Sequence, residues 1–160
     1  ENSKDSEEIV KNNIFPIRGI IALFIFLGIL LEKGKDVGGN EDSFSKTLIG
    51  KDKYIYIVLK YIAAITLQSI LGIIINLHMP EAQSLAYEVF TILLYLFISV
   101  IWVIAFGSLF KRDTTYSGWI LTLLLSNIVL CPIFFDLASY VKAIDLINLI
   151  FPLGIYLKMF

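Results

Sequence analysis

Ser126, His78 and Cys131 are the side chains that first suggest covalent or metal chemistry, and their number and placement argue against it. A serine nucleophile needs a base within hydrogen-bond reach. Ser126 falls in the middle of an uncharged apolar run while His78 closes a different one, so the two are expected at different depths. One histidine and one cysteine cannot build a zinc site within the chain, and Cys131 has no partner for an internal disulfide. Gly50-Lys51-Asp52 comes nearest to a phosphate-binding loop, but Ser45 stands where the pattern Gly-x-x-x-x-Gly-Lys-Ser/Thr needs its first glycine. No His-Glu-x-x-His motif or carboxylate pair interrupts an apolar run, and the acidic residues are expected in loops or at helix ends. The chain is therefore not expected to be an enzyme, nor to bind a metal or cofactor of its own.

Within the apolar runs, helical spacing groups the small and polar residues. Ser69, Gly72 and Asn76 share one face, Thr91, Tyr95 and Ser99 a second, and Thr122, Ser126 and Asn127 a third. Such faces either let helices approach closely or line a path for a substrate, and close packing is the weightier reading for any single residue.

These faces belong to helices that need lipid around them. Hydrophobic residues make up 58% of the chain, charged ones 17%, and the mean hydropathy is +0.81. Soluble domains run at about 45–50% apolar and about 25% charged. The expected fold class is an all-α polytopic transmembrane bundle. Four spans are predicted, at about 14–31, 54–77, 89–110 and 114–135, followed by a partial segment over 143–160. That segment contains Pro152 and is expected to be re-entrant or a truncated fifth span. Residues 1–13 form a polar lead. Pro16 suits a first helical turn, and Arg18 is expected to snorkel to the interface. Pro132 is expected to kink or end the fourth span.

Lysine and arginine set the orientation. The 32–53 loop holds Lys33, Lys35, Lys46, Lys51 and Lys53, and the next loop on the same side holds Lys111 and Arg112. The 78–88 loop holds none. By the positive-inside rule both basic loops face the cytoplasm, and residues 1–13 lie outside. The formal net charge of -1 lacks the basic footprint that nucleic-acid binding requires.

Within the 32–53 loop, Glu41, Asp42, Phe44 and Leu48 are spaced for a short amphipathic helix. The passage from Leu30-Leu31-Glu32-Lys33 through Phe44-Ser45-Lys46-Thr47-Leu48-Ile49-Gly50 to Tyr54-Ile55-Tyr56 resembles the permease of a type 2 ATP-binding-cassette exporter as it leaves the bilayer, forms its coupling helix and returns. Ser126-Asn127-Ile128-Val129-Leu130-Cys131-Pro132, followed by Asn148-Leu149-Ile150-Phe151-Pro152-Leu153, is similar to the fifth span of that family and its re-entrant turns. The resemblance implies that the chain covers spans two to five, with the first and sixth expected outside it. It implies a separate ATPase subunit gripping Phe44 and Leu48, with Glu41 or Asp42 pairing to basic groups, and a second permease half. It also implies a substrate moved outward between faces such as those of Ser69, Thr91 and Ser126. The rival expectation is a non-transporting membrane protein, such as an immunity, sensor or assembly factor, whose spans only anchor and pair.

Overall fold

A computed structural model of the chain describes residues 16–35, 37, 47–80, 82–134, 137 and 140–160. All regular secondary structure among them is helical, in seven elements: α1 (Pro16–Gly34), α2 (Lys51–Ala64), α3 (Thr66–Leu77), α4 (Leu85–Gly107), α5 (Asp113–Leu130), α6 (Lys142–Asn148) and α7 (Pro152–Leu157).

Local chemistry sets most of the boundaries. Pro16 starts α1, where its missing N–H costs nothing, and Lys33 in the last turn complements the negative end of the helix dipole. Ser84 caps α4 by accepting the Tyr87 N–H at 3.3 Å, so this helix begins one turn before the expected span and takes Glu88 into its first turn. Pro132 ends α5 by forcing Cys131 into extended backbone, at φ -84° and ψ 150°. Pro152 starts α7 just after Phe151.

The segment expected as one continuous span over 54–77 is instead two helices, α2 and α3, bent by 53° at Ile65. Neither proline nor glycine stands at the break. The Thr66 hydroxyl donates to the Ile62 carbonyl at 2.8 Å, and the Ser69 hydroxyl to the Ile65 carbonyl at 2.9 Å. Hydroxyls that bond back to the preceding turn compete for carbonyls of the helical ladder and bend it. Among the described residues α4 alone is long and apolar enough to cross a membrane by itself, while the α2–α3 pair passes the same test as one bent span.

The other helices pack around α1. It buries Arg18, Ala22, Ile25, Phe26, Ile29 and Leu30 along one broad stripe and touches α2, α3, α4, α5 and α7. Side-chain contacts fix the directions. Arg18 meets Glu88 near the starts of α1 and α4, whereas Lys33 meets Gly107 near their ends, so the two helices are parallel. Gly19 meets Ile133 just after α5, and Tyr116 near the start of α5 meets Leu30, so α5 runs the opposite way. The bundle thus has an Arg18 end, where α6 and α7 also lie, and a Lys33 end.

Close approach depends on glycine at several contacts. A Cβ on Gly72 would meet Ile21 Cγ2 at 2.8 Å, and one on Gly19 would meet Ile133 Cγ1 at 2.7 Å. Two tyrosines tie neighbours to the α1 backbone. Tyr95 donates to the Ala22 carbonyl and Tyr116 to the Leu30 carbonyl, each at 2.6 Å. A buried phenol left without a partner would cost free energy, so these bonds fix the helices lengthwise as well as side by side.

Candidate functional site

At the Arg18 end the bundle encloses a charged pair. Arg18 stands one turn inside α1 and Glu88 one turn inside α4, on parallel helices that present both side chains to the same level. The guanidinium donates from Nη1 to Glu88 Oε2 at 2.7 Å and from Nη2 to Oε1 at 2.9 Å, and both side chains are fully buried. This planar fork-to-fork geometry is the strongest form of the arginine–carboxylate pair. Glu88 Oε1 also accepts the Gln83 backbone N–H at 3.1 Å. The position of Glu88 at the α4 N-terminus adds the favourable field of the helix dipole.

Aromatic residues from the C-terminal segment close over the pair. The Phe160 ring lies 3.7 Å from the guanidinium carbon, a cation–π contact in a desolvated setting. Tyr156 packs against Tyr95, with ring centroids 4.8 Å apart, and against Phe160 at 5.3 Å. The Tyr156 hydroxyl accepts from Asn76 Nδ2 at 3.4 Å, which connects α3 to the same cluster. Tyr87 donates to the Met159 carbonyl, pinning the chain beyond α7 to α4. The hydrogen-bonding capacity is not used up. Arg18 Nε and Asn76 Oδ1 have no partner among the described residues.

The three expected polar faces fare differently. Ser69, Gly72 and Asn76 are the buried residues of α3 and form one inward face. Thr91, Tyr95 and Ser99 are all buried on α4, where the Thr91 hydroxyl donates back to the Tyr87 and Glu88 carbonyls. Thr122, Ser126 and Asn127 do not share a face. Asn127 turns inward with Leu123 and donates to the Leu123 carbonyl at 2.8 Å, while Thr122 is exposed and Ser126 half-buried on the opposite side. The five-residue step from 122 to 127 carries Asn127 well round the helix. Leu48 is half-buried, whereas Glu41, Asp42 and Phe44 lie outside the described residues.

Two expectations about charge need correcting. Arg18 does not snorkel outward, because Glu88 offers a bidentate partner inside the bundle. Glu88 is not in a loop, because the Ser84 cap draws it into α4. One cation in the first turn of α1 and one anion in the first turn of α4, at ends that the loop order places together, were the available signal. No group of histidine, cysteine and acidic side chains among the described residues could hold a metal ion.

No protein-family model matches the chain, and neither a curated protein nor a solved structure matches it.

Proposed function

We propose that this chain is the membrane-embedded part of a transporter, a permease of the ATP-binding-cassette exporter kind that works with a separate ATPase and a second permease half. In this reading α1, the bent α2–α3 pair, α4 and α5 are four traversals of the cytoplasmic membrane, and α6–α7 is a re-entrant segment at the outer end. The apolar character of α4 and the alternating helix directions support it. The charges of α1 at Glu32 and Lys33 belong to its cytoplasmic end, and that of Arg18 is neutralised by Glu88, so α1 can occupy lipid despite its three charged residues.

The carrying observation is the fully buried Arg18–Glu88 pair, covered by Phe160 and Tyr156. Ionisable groups deep in a helical membrane bundle are costly and are kept where they serve a pathway or a switch. A bundle that only anchored the chain could fill this space with aliphatic side chains. The pair joins α1 to α4 and, through Phe160 and Tyr156, to the re-entrant segment, so breaking and remaking it would couple the tilt of α1 to opening of the outer end. Gly118, Thr122 and Ser126 lie on the outer side of α5 at four-residue spacing, a small-residue stripe suited to the helix of a second permease half.

The ATPase would grip the segment holding Glu41, Asp42, Phe44 and Leu48, at the basic Lys33 end. Affinity purification of the chain from its own cells is expected to retain an ATPase, and Phe44→Asp combined with Leu48→Asp to release it. An ATPase that stays bound to that double variant, or full function after residues 40–49 are replaced by a flexible linker, would refute the coupling role and favour a non-transporting membrane protein.

A further inference from the structure

On the outer surface of the bundle, α2 and α4 leave a groove of about 590 Å³ between them, lined by residues including Tyr54, Val58, Phe97, Ile101, Ala105 and Ser108. Its walls are almost wholly hydrocarbon. Phe97, Ile101 and Tyr54 are about half exposed or more, so the groove opens sideways from the bundle.

Three observations restrict what can fill it. From Phe97 to Ser108 the helix rises about 16 Å at about 1.5 Å per residue, close to half of a hydrocarbon core about 30 Å thick. The groove therefore has the depth of one leaflet, and its volume is on the scale of a single acyl chain. Second, it opens at the Lys33 end. Lys51 precedes Tyr54 and Ile55 by one turn on the same α2 stripe, and Lys111 and Arg112 come three and four residues after Ser108; all three are exposed. Among the described residues, Lys33, Lys35 and Lys53 bring the cations of this end to more than its acids, which are Glu32, paired with Lys35, Asp52 and, in sequence, Asp113. Third, the polar side chains of the groove, Tyr54 and Ser108, lie at this basic mouth, whereas the far end at Phe97 is apolar.

We propose that the groove is a binding site for one anionic phospholipid of the cytoplasmic leaflet, with an acyl chain lying between α2 and α4 and the phosphate held at Lys51, Lys111 and Arg112. A neutral lipid would fill the groove equally well but would forgo the attraction to the basic mouth. Each cation near a membrane surface contributes roughly fivefold to the affinity for anionic lipid. By bridging the entrance of α2 and the exit of α4, the lipid would stiffen the end at which an ATPase is expected to act. The inference rests on α4 spanning the membrane.

The test is photolabelling of the purified full chain in phosphatidylcholine vesicles. These carry a trace of phosphatidylglycerol with a photoactivatable diazirine midway along one acyl chain, or the same probe as phosphatidylcholine. Labelled peptides are mapped by mass spectrometry. The phosphatidylglycerol probe is expected to label both groove walls, within 54–59 and 97–108, at least severalfold above the phosphatidylcholine probe. Lys51→Gln with Arg112→Gln is expected to remove that preference while leaving neutral labelling unchanged. Ala105→Trp, or Ala105→Phe where the larger ring is not tolerated, is expected to suppress labelling of the groove by either probe. Equal labelling by the two probes would overturn the proposal while leaving the membrane reading intact. So would disulfide-linked homodimers formed through Ala105→Cys, which would mean that a second copy covers the groove. Absence of labelling by either probe anywhere along α4 would overturn the spanning reading itself.

Discussion

Arg18 and Lys33 lie at opposite ends of α1, and the neighbouring helices meet them with different chemistry. Around Arg18 stand a carboxylate, an asparagine, two tyrosines and the Phe160 ring, all drawn inside the bundle. Around Lys33 the bundle is closed by hydrocarbon and aromatic edges. Trp102 stacks on Phe106, and Phe110 packs edge-on against both Phe106 and Tyr116, while the lysine lays its aliphatic stem across Gly107. At the Lys33 end Lys51, Lys111 and Arg112 are exposed, while Glu32, Lys33 and Lys53 are half-buried and none is enclosed as Arg18 is. One end thus spends its polar residues on an internal structure with few alternatives, and the other keeps Lys51, Lys111 and Arg112 on its surface. The difference teaches that the presence of a charge does not set its role; burial decides which charges hold the fold and which stay at the surface.

The largest effect that can break this comparison is expected at the buried pair. Arg18→Met or Glu88→Gln alone leaves a buried group with its partner removed or neutralised, and each is expected to destabilise the detergent-solubilised protein by about 3–5 kcal/mol. Arg18→Met with Glu88→Leu is expected to recover most of that loss, since apolar replacement of a whole buried pair is often nearly neutral. Thermal unfolding of Arg18→Met, Glu88→Leu and the double variant forms the test, with Glu88→Gln measured beside them. If the single losses simply add in the double variant, the pair is not coupled as its geometry implies. If the double variant is stable and fully functional, the pair is a packing device and the transport reading loses its main support.

A middle-sized effect separates the ends by the stiffness of what they pack against. A Cβ on Gly154 would clash with the Asn148 backbone oxygen, whereas one on Gly107 would meet the flexible Lys33 side chain, with Cε at 2.5 Å. Gly154→Ala is therefore expected to cost about 1–3 kcal/mol and to disturb the seating of Tyr156. Gly107→Ala should cost less, because a lysine stem can move aside. Parallel melting curves give the order, and a larger loss for Gly107→Ala would show that the Lys33 end is the more rigid one.

Much of this architecture was legible in the sequence because apolar run length, proline and helical spacing follow simple rules. The uncharged run through Ile92 and Val100, the terminating Pro132 and the inward faces of Ser69–Asn76 and Thr91–Ser99 all follow from run length, proline chemistry and helical spacing. The bend at Ile65 was hidden because hydroxyl back-bonding by Thr66 and Ser69 leaves no breaker residue to read. The Arg18–Glu88 pair was hidden for another reason. A single charge near a helix end can equally snorkel or turn inward, and only the parallel packing of α1 on α4 decides between them. Asn127 was assigned to the wrong face because a five-residue step falls between the two sides of a helix.

The smallest effect sharpens the comparison most directly, because it concerns an ion pair of nearly the same length. Lys158 Nζ lies 2.8 Å from Asp145 Oδ1, but the two side chains remain 38% and 55% exposed. Solvent screens such a pair, and fixing two flexible side chains offsets part of the Coulomb gain, so Asp145→Asn is expected to change stability by no more than about 0.2–1 kcal/mol. Added salt should shrink that difference further, since exposed charges are screened over about 10 Å at 0.1 M. The Glu88→Gln loss should hold nearly constant over the same salt series, because ions cannot enter between Arg18 and Glu88. Melting both variants across that series compares burial at matched distance. A loss for Asp145→Asn as large and as salt-independent as that for Glu88→Gln would place the α6–α7 pair in a dry environment and move the polar–apolar boundary of this end outward. A Glu88→Gln loss that vanished with salt would instead mean that water reaches the buried cluster.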